Sequence, residues 1–317
     1  MKIIKKLLKY IGISLGGLVG LLLVSVLSLN IMKFAIYFDY YKIETRIMAN
    51  PGLNSGAIPQ GIATDENHDF ILTTAYMDNK SNSRIYMCEN SKNSYVNLIR
   101  NGKKFTNHVG GIGLDKDTIY ISNYHKIYTV SVADFLSSIE NKADLEIGSG
   151  IEINNKSSFC SVEGNYLYVG EYSDGLDDTT DTKINHNGKT YRAVISKYHT
   201  SDLSHPVEMY AITNWAQGVS VSPNGDIYIS TSHGLNDSHF YKFSKDSIVN
   251  PIDYTDNLGY TTALYFLDEP IKDIRGPAMA QDLSYHNGKV ITLSESASNK
   301  YIFGKYFFAF DIVGLKF

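Results

Sequence analysis

The stretch that decides the fold is Gln217-Gly218-Val219-Ser220-Val221-Ser222-Pro223-Asn224-Gly225-Asp226-Ile227-Tyr228-Ile229-Ser230. Apolar residues alternate with polar ones on both sides of a Pro-Asn-Gly turn, so each arm presents one apolar face, as in a β-strand. Asn-Gly adopts the positive φ of a tight hairpin turn at little steric cost. A single hairpin is only marginally stable in water, so we expect the chain to repeat it and to stack the copies.

Four further copies of the hairpin occur in the chain. They begin at Gln60, Gly110, Ser158 and Gln281. With the copy at Gln217, the starts are about 48 to 64 residues apart, close to or somewhat above the length of a propeller blade.

Each hairpin is followed by a third predicted strand. These third strands are Arg84 to Cys88, Lys126 to Val132, Ala193 to Tyr198, Phe240 to Phe243 and Tyr306 to Ile312. Several units also have a candidate fourth strand: Tyr95 to Ile99, Val207 to Ile212 and Thr262 to Leu267. The pattern predicts an all-β protein, a β-propeller of four-stranded antiparallel blades. Five blades are preferred and six are possible.

The last unit ends at its third strand. We therefore expect an N-terminal segment such as Tyr41 to Ile47 to pair there and to close the ring, which removes an open sheet edge. Residues Val132 to Ile139 are expected to form a short surface helix.

The N-terminus predicts a membrane anchor. Tyr10 to Met32 is a run of 23 residues without charge, enough to cross about 30 Å of hydrocarbon as a helix. Four lysines precede it at positions 2, 5, 6 and 9, so the N-terminus is expected in the cytoplasm and the remainder outside. A cleaved signal peptide is the alternative, although no well-spaced small-residue cleavage site follows.

These signals predict four regions. Residues 1–9 form a basic cytoplasmic tail, 10–32 a transmembrane signal-anchor helix, 33–59 a juxtamembrane segment and linker, and 60–317 the propeller ectodomain. After Lys9 the chain has 25 basic and 33 acidic residues, a net charge near −8, which gives no electrostatic reason to bind nucleic acid. Cys88 and Cys160 lie in predicted strands of different blades, so buried free thiols are favoured over a disulfide.

Several of these phrases resemble known propellers. They are Pro59-Gln60-Gly61-Ile62-Ala63-Thr64-Asp65, Ala216 to Tyr228, and Glu163 to Val169. They are similar to blades of the YncE-like and NHL-type propellers and, more weakly, of the calcium-dependent lactonase and phosphotriesterase group, which includes gluconolactonase and strictosidine-synthase-like proteins. The resemblance spans roughly Gln60 to Ile312 and implies the fold. It leaves the function open, because the shared residues build strands and turns.

Candidate ligand-binding residues lie where the inner strands begin. Gln60, Gln217 and Gln281 occupy three of five equivalent positions and predict a polar ring at one mouth of the central channel. Alternatively, each amide satisfies the backbone of a neighbouring blade. Trp215 precedes the fourth inner strand and is expected either to stack on a ligand ring or to plug the channel.

Candidate metal ligands lie at the ends of second strands. Asn123 and Glu171 are hard oxygen donors of the kind that calcium takes. The resembled hydrolases hold a channel calcium with such residues from different blades, which implies Ca²⁺ as a possible cofactor here, although the other equivalent positions are hydroxyls. His108, just before the second inner strand, is the candidate general base.

The sequence therefore predicts a membrane-anchored, extracytoplasmic propeller that binds an envelope ligand or a partner protein. The alternative is a calcium-dependent hydrolase acting on a lactone or ester. The chain carries no complete catalytic set, which favours binding.

Overall fold

Five hairpins with alternating apolar residues become the inner halves of five blades. The computed structural model describes residues 2–176, 182–301 and 309–317. The inner strands contact one another in cyclic order, so the blades form a closed ring and the predicted propeller is confirmed. These strands, which define blades 1 to 5, are β2 (Ala57–Ala63), β7 (Gly111–Leu114), β12 (Phe159–Glu163), β18 (Ala216–Val221) and β24 (Ala280–His286).

Each blade continues outward by antiparallel pairing. The second strands are β3 (Ile71–Met77), β8 (Thr118–Asn123), β13 (Tyr166–Gly170), β19 (Ile227–Thr231) and β25 (Lys289–Ser294). The third strands are β4 (Arg84–Glu89), β9 (Lys126–Ser131), β16 (Val194–His199), β20 (Ser238–Phe243) and β26 (Asp311–Leu315). The fourth strands, from blade 1 to blade 5, are β5 (Lys92–Arg100), β11 (Ile151–Glu152), β17 (Glu208–Ala211), β23 (Lys272–Gly276) and β1 (Glu44–Ala49).

The first strand of the chain closes the ring. In β1, Glu44 pairs with Leu315 and Ala49 with Asp311, which confirms the closure expected from the unfinished last unit. Residues 44–59, expected to be juxtamembrane segment and linker, thus supply β1, a 3-10 turn over Leu53–Ser55 and the start of β2. The expected third strand Tyr306 to Ile312 begins in residues 302–308, which lie outside the described chain.

One predicted strand is assigned to the wrong blade. Thr262 to Leu267 was expected to be a fourth strand of blade 4, but β22 (Thr261–Phe266) pairs in parallel with β17 and so extends blade 3. Strand β21 (Ile252–Thr255) pairs antiparallel with β22 and forms the outer edge of this sheet. The fourth strand of blade 4 is β23. The remaining short strands are β6 (Lys103–Lys104), β10 (Leu145–Glu146), β14 (Ile184–His186) and β15 (Lys189–Tyr191).

The described residues also form three α-helices. They are α1 (Lys2–Ile36), α2 (Phe38–Ile43) and α3 (Val132–Asn141). Residues Tyr10–Ile36 are long and apolar enough to cross a membrane. Helix α3 is the surface helix expected from the sequence, and the Ser131 hydroxyl accepts a hydrogen bond from the Asp134 amide at its start.

The ring has two faces, which we call upper and lower. The upper face carries the starts of the inner strands and the loops that join second strands to third strands, such as residues 232–237. The lower face carries the inner hairpin turns, such as Pro223-Asn224-Gly225. At the axis the inner strands approach backbone to backbone: a Cβ on Gly111 would lie 2.3 Å from the Cys160 nitrogen, and one on Gly218 would lie 2.5 Å from Asp282 Cα. The axis is therefore tightly packed.

Apolar side chains between neighbouring blades form the core. One cluster joins Leu72 and Ile85 of blade 1 to Ile112 and Ile121 of blade 2. Cys88 and Cys160 are buried and free, as expected, and burial raises the pKa of the Cys88 thiol to about 12. Such thiols are unreactive at neutral pH.

Candidate functional site

A cavity of about 570 Å³ opens on the upper face. Amides, hydroxyls, aromatic rings and one ammonium line it. The lining residues are Gln60, Asn107, His108, Gly110, Asn123, Tyr124, Lys156, Ser157, Ser158, Tyr172 and Gln217. They come from the starts of inner strands and from neighbouring upper loops, so the cavity is a blind depression above the packed axis.

All three candidate glutamines lie at irregularities of the inner strands. The pairing register shifts by one residue between Pro59 and Ile62, between Ala216 and Gly218, and between Ala280 and Leu283. These shifts are β-bulges, which redirect side chains and occur often beside binding sites. The structure brings Gln60 and Gln217 into the cavity wall, but Gln281 is buried and is not part of that wall.

The amide of Gln60 is held by the carboxylate of Glu295 and by a backbone carbonyl oxygen. Its Nε2 donates to Glu295 Oε2 at 2.9 Å and to the Pro59 carbonyl oxygen at 2.7 Å. Desolvation raises the pKa of Glu295 to about 7, although the Gln60 hydrogen bond and the Lys300 ammonium act against this rise. Because the donor hydrogens of Gln60 are engaged, its orientation in the wall is fixed.

The residue after Gln281 is the main one that the sequence reasoning missed. Asp282 is fully buried at the axis, and its Oδ2 accepts from the amides of Ile62 at 3.4 Å and Ile112 at 3.3 Å. Burial raises the pKa of Asp282 well above its usual range. One carboxyl of blade 5 thus contacts the inner strands of blades 1 and 2. The sequence pattern does not reveal this role, because alternation alone does not place Asp282 at the axis and the bulge between Ala280 and Leu283 is visible only in the structure.

Only one of the two candidate calcium ligands lines the cavity. Asn123 is in the cavity wall, but Glu171 is completely buried and absent from that wall. Glu171 Oε1 accepts from the Val194 amide at 3.2 Å and its Oε2 from the Lys156 amide at 3.4 Å. Burial raises the pKa of Glu171 to about 7, against the opposing effect of its hydrogen bonds.

These contacts do not fit a calcium site built on both residues. The carboxylate oxygens of Glu171 already accept backbone hydrogen bonds, and calcium needs six to eight oxygen donors. Within residues 2–176, 182–301 and 309–317, no group of three or more His, Cys, Asp or Glu side chains could hold a metal ion. Calcium binding at this mouth stays a prediction that rests on Asn123 alone.

His108 faces the cavity beside Tyr76. The two ring centroids are 4.8 Å apart, and Lys300 Nζ donates to the Tyr76 hydroxyl at 2.7 Å. Desolvation of the imidazole and the nearby Lys300 ammonium lower the pKa of His108 to about 4. The ring is therefore neutral at pH 7 and is a weak proton acceptor there.

Trp215 lies at the rim of the upper face. Its side chain is 40% exposed, stacks on His233 with centroids 5.3 Å apart, and donates its indole N–H to the Asp174 carbonyl oxygen at 3.1 Å. Tyr172, which lines the cavity, contacts His233 Nδ1 through its hydroxyl at 2.8 Å. Trp215 thus supports the rim through His233 and does not plug the axis.

Residues with left-handed backbone surround the cavity. Tyr124 has φ 41°, Ser157 φ 50° and Val109, next to His108, φ 41°. Such conformations are uncommon outside glycine, most of all for a β-branched residue, and they concentrate at binding sites. They would have been hard to detect from the sequence, because none of these positions is a glycine.

No family model matches the chain, and no curated protein matches it. Solved structures with a similar arrangement include an aldose sugar dehydrogenase of Streptomyces coelicolor in its PQQ-bound form, 11% identical, which covers 79% of this chain and 76% of its own with a TM-score of 0.44. A gluconolactonase of Xanthomonas campestris is 10% identical over 75% of this chain and 70% of its own, with a TM-score of 0.38. A hydrazine synthase of Kuenenia stuttgartiensis is 11% identical over 75% of this chain, with a TM-score of 0.39, and this chain spans 55% of it. The class is shown by the sheets themselves, which form a five-bladed β-propeller.

Glu171 should make stability depend on pH. Its pKa in the folded protein is raised from 4.5 to about 7, so folding favours the protonated carboxyl. Its contribution to the free energy of unfolding is therefore fully present below pH 4.5 and is lost as the pH rises to 7. We expect Glu171→Gln to remove this loss, so that the wild-type Tm falls by roughly 5 °C more than the variant Tm across this interval. Thermal unfolding followed by circular dichroism measures it.

The matched control for this comparison is Glu89→Gln. Glu89 is exposed at the end of β4, so its replacement should leave the pH profile of the wild type unchanged. Parallel profiles for the wild type and Glu171→Gln would contradict the raised pKa.

Proposed function

We propose that the chain is a membrane-anchored binding module whose propeller lies outside the cytoplasm and whose ligand enters the upper cavity. The observation that carries this proposal is the convergence of polar and aromatic side chains from several blades on one blind cavity of about 570 Å³. Its volume lies within the range of small-molecule sites. Four lysines before the apolar helix support the orientation, with the N-terminus in the cytoplasm.

The chemistry of the wall favours an uncharged polyhydroxyl ligand, such as a sugar. The amides of Gln217, Asn107 and Asn123 offer both donors and acceptors to vicinal hydroxyls. The ring of Tyr124, whose side chain is 75% exposed, offers a face for stacking. Lys156 is the one ammonium in the described wall, and the wall has no charged pair that would select a dianion.

A ligand screen with matched variants tests this function. The detergent-solubilised full chain is titrated calorimetrically with monosaccharides, amino sugars and inositol. We expect Gln217→Ala and Tyr124→Ala to weaken binding of the responding compound at least about tenfold, which is about 1.4 kcal/mol each. Asn165→Ala, in a lower-face turn, should leave the affinity unchanged.

Calcium serves as the discriminating titrant for the alternative function. The hydrolase alternative requires one bound ion per chain, weakened by Asn123→Ala, together with hydrolysis of a lactone or ester. Binding of a sugar without calcium supports the binding module. Binding of one calcium ion per chain together with hydrolysis of a lactone or ester would support the hydrolase instead. If Gln217→Ala bound the sugar as tightly as the wild type, the cavity would be excluded as the binding site.

A further inference from the structure

The apolar helix meets the propeller at its upper side. Helix α2 lies between the outer strands of blades 4 and 5, where Tyr40 packs near Phe240 with ring centroids 5.7 Å apart. At its end, the Ile43 carbonyl oxygen accepts from the amide of Lys316, just after β26 on the lower side. At its start, the Tyr37 hydroxyl donates to Asp237 Oδ1 at 2.6 Å, in the upper loop 232–237. The axis of α2 therefore runs from the upper side to the lower side.

Helix α1 joins the upper end of α2 at Tyr37. The Tyr37 amide donates to the Lys33 carbonyl oxygen at the end of α1, and the Tyr41 amide donates to the Tyr37 carbonyl oxygen in the first turn of α2, both at 3.0 Å. Tyr37 itself, with φ −109° and ψ 38°, interrupts the helix between them. The membrane-crossing stretch thus reaches the propeller at the upper end of α2, on the side where the cavity opens.

The spacing between the apolar stretch and the upper face is short. Four residues lie between Met32, the last residue of the uncharged run, and Tyr37. Five helical steps of 1.5 Å make this distance about 7.5 Å. The polar headgroup layer on one side of a bilayer is about 5 to 7 Å thick. Loops at the level of Asp237 would therefore reach the headgroups. The same loop exposes Leu235 by 56%, and Tyr124 is 75% exposed across the face on blade 2.

We propose that the upper face rests on the headgroup layer of the membrane, with the cavity open toward the lipid surface. The occupant of this face is the bilayer itself. Contact is made through the helix base and exposed apolar side chains such as Leu235 and Tyr124, and it needs no anionic lipid, in keeping with the net negative charge outside the membrane. This proposal rests on the membrane anchoring in the proposed function. If the cavity also binds its ligand as proposed, that ligand is carried on lipid or moves along its surface.

Quenching of site-specific fluorescent labels tests whether the upper face contacts the headgroup layer. The full chain is reconstituted in phosphatidylcholine vesicles containing a lipid with a nitroxide on its headgroup. Single cysteines are introduced as Leu235→Cys and Tyr124→Cys on the upper face and Lys116→Cys in the lower hairpin turn of blade 2, and each is labelled with the same fluorophore. The wild-type chain reports background labelling, which should be small because Cys88 and Cys160 are buried.

We expect both upper labels to be quenched at least twofold more than the Lys116 label, with no change when salt is added. The proposal would be overturned by equal quenching at all three positions or by stronger quenching at Lys116→Cys. It would also be overturned by quenching at Leu235→Cys without quenching at Tyr124→Cys. Vesicle flotation tests membrane anchoring separately from contact of the upper face with the headgroups, since a chain that fails to float lacks the anchor. Phe310→Cys, 48% exposed on the upper side, replaces any upper variant that fails to fold. None of these readouts depends on ligand binding.

Discussion

Replacing Gly111 with alanine is expected to lower the free energy of unfolding by about 4 kcal/mol, which exceeds the usual overpacking cost of about 1 to 3 kcal/mol. The added Cβ would lie 2.3 Å from the Cys160 nitrogen and 2.6 Å from Phe159 Cα. Both atoms belong to the backbone of the next inner strand, so no rotamer change relieves the clash. Thermal unfolding of the detergent-solubilised chain should show a Tm lower by about 6 °C.

Gly314→Ala is the matched control for this loss. Gly314 also lies in a strand, but its added Cβ would meet side-chain atoms of Lys289 and Ile291 at 3.0 and 3.3 Å, and the lysine can move. We expect a change of less than about 1 kcal/mol there. If Gly111→Ala were as stable as Gly314→Ala, the inner strands could not be packed as closely as described.

Asp282→Ala is expected to cost about 4 kcal/mol as well. The substitution removes the acceptor for the buried amides of Ile62 and Ile112, and each buried donor without a partner costs about 1 to 3 kcal/mol. It also leaves a small void at the axis, where three blades meet. Urea unfolding at pH 7 measures the loss.

Asp282→Asn separates the hydrogen bonds from the charge. The asparagine carbonyl oxygen can accept from the same amides, and burial already favours the neutral form of Asp282. We expect Asp282→Asn to lose less than half of what Asp282→Ala loses. Equal losses in the two variants would show that the amides of Ile62 and Ile112 do not depend on this side chain.

Local chemistry explains why most of the fold could be predicted. Alternating apolar residues and turn residues such as Asn224-Gly225 indicate each inner hairpin, and both signals lie within a few residues of one another in the chain. The closure by β1 followed from counting strands in the last unit. By contrast, β22 joins blade 3 through a parallel pairing with β17, and no local pattern specifies which distant strand an edge strand will meet.

The site was harder to predict because small backbone shifts decide where side chains lie. Aligning the hairpins correctly grouped Gln60 and Gln217, but the bulge in β24 places Gln281 away from the cavity and Asp282 at the axis. Glu171 shares the strand-end position of Asn123, yet the amides of Val194 and Lys156 hold it inside the blade. The structure shows that an acidic residue at a strand end can accept hydrogen bonds from backbone amides of its own blade.

The seam between β1 and β26 joins two segments that lie far apart in the sequence, since Glu44 pairs with Leu315. Until β26 has been made, β1 has no partner and blade 5 keeps an open edge. Contacts between such distant residues are slow to form, because the loop-closure entropy must be overcome first. A chain cut before β26 would keep this edge exposed, so the seam distinguishes closed rings from open ones.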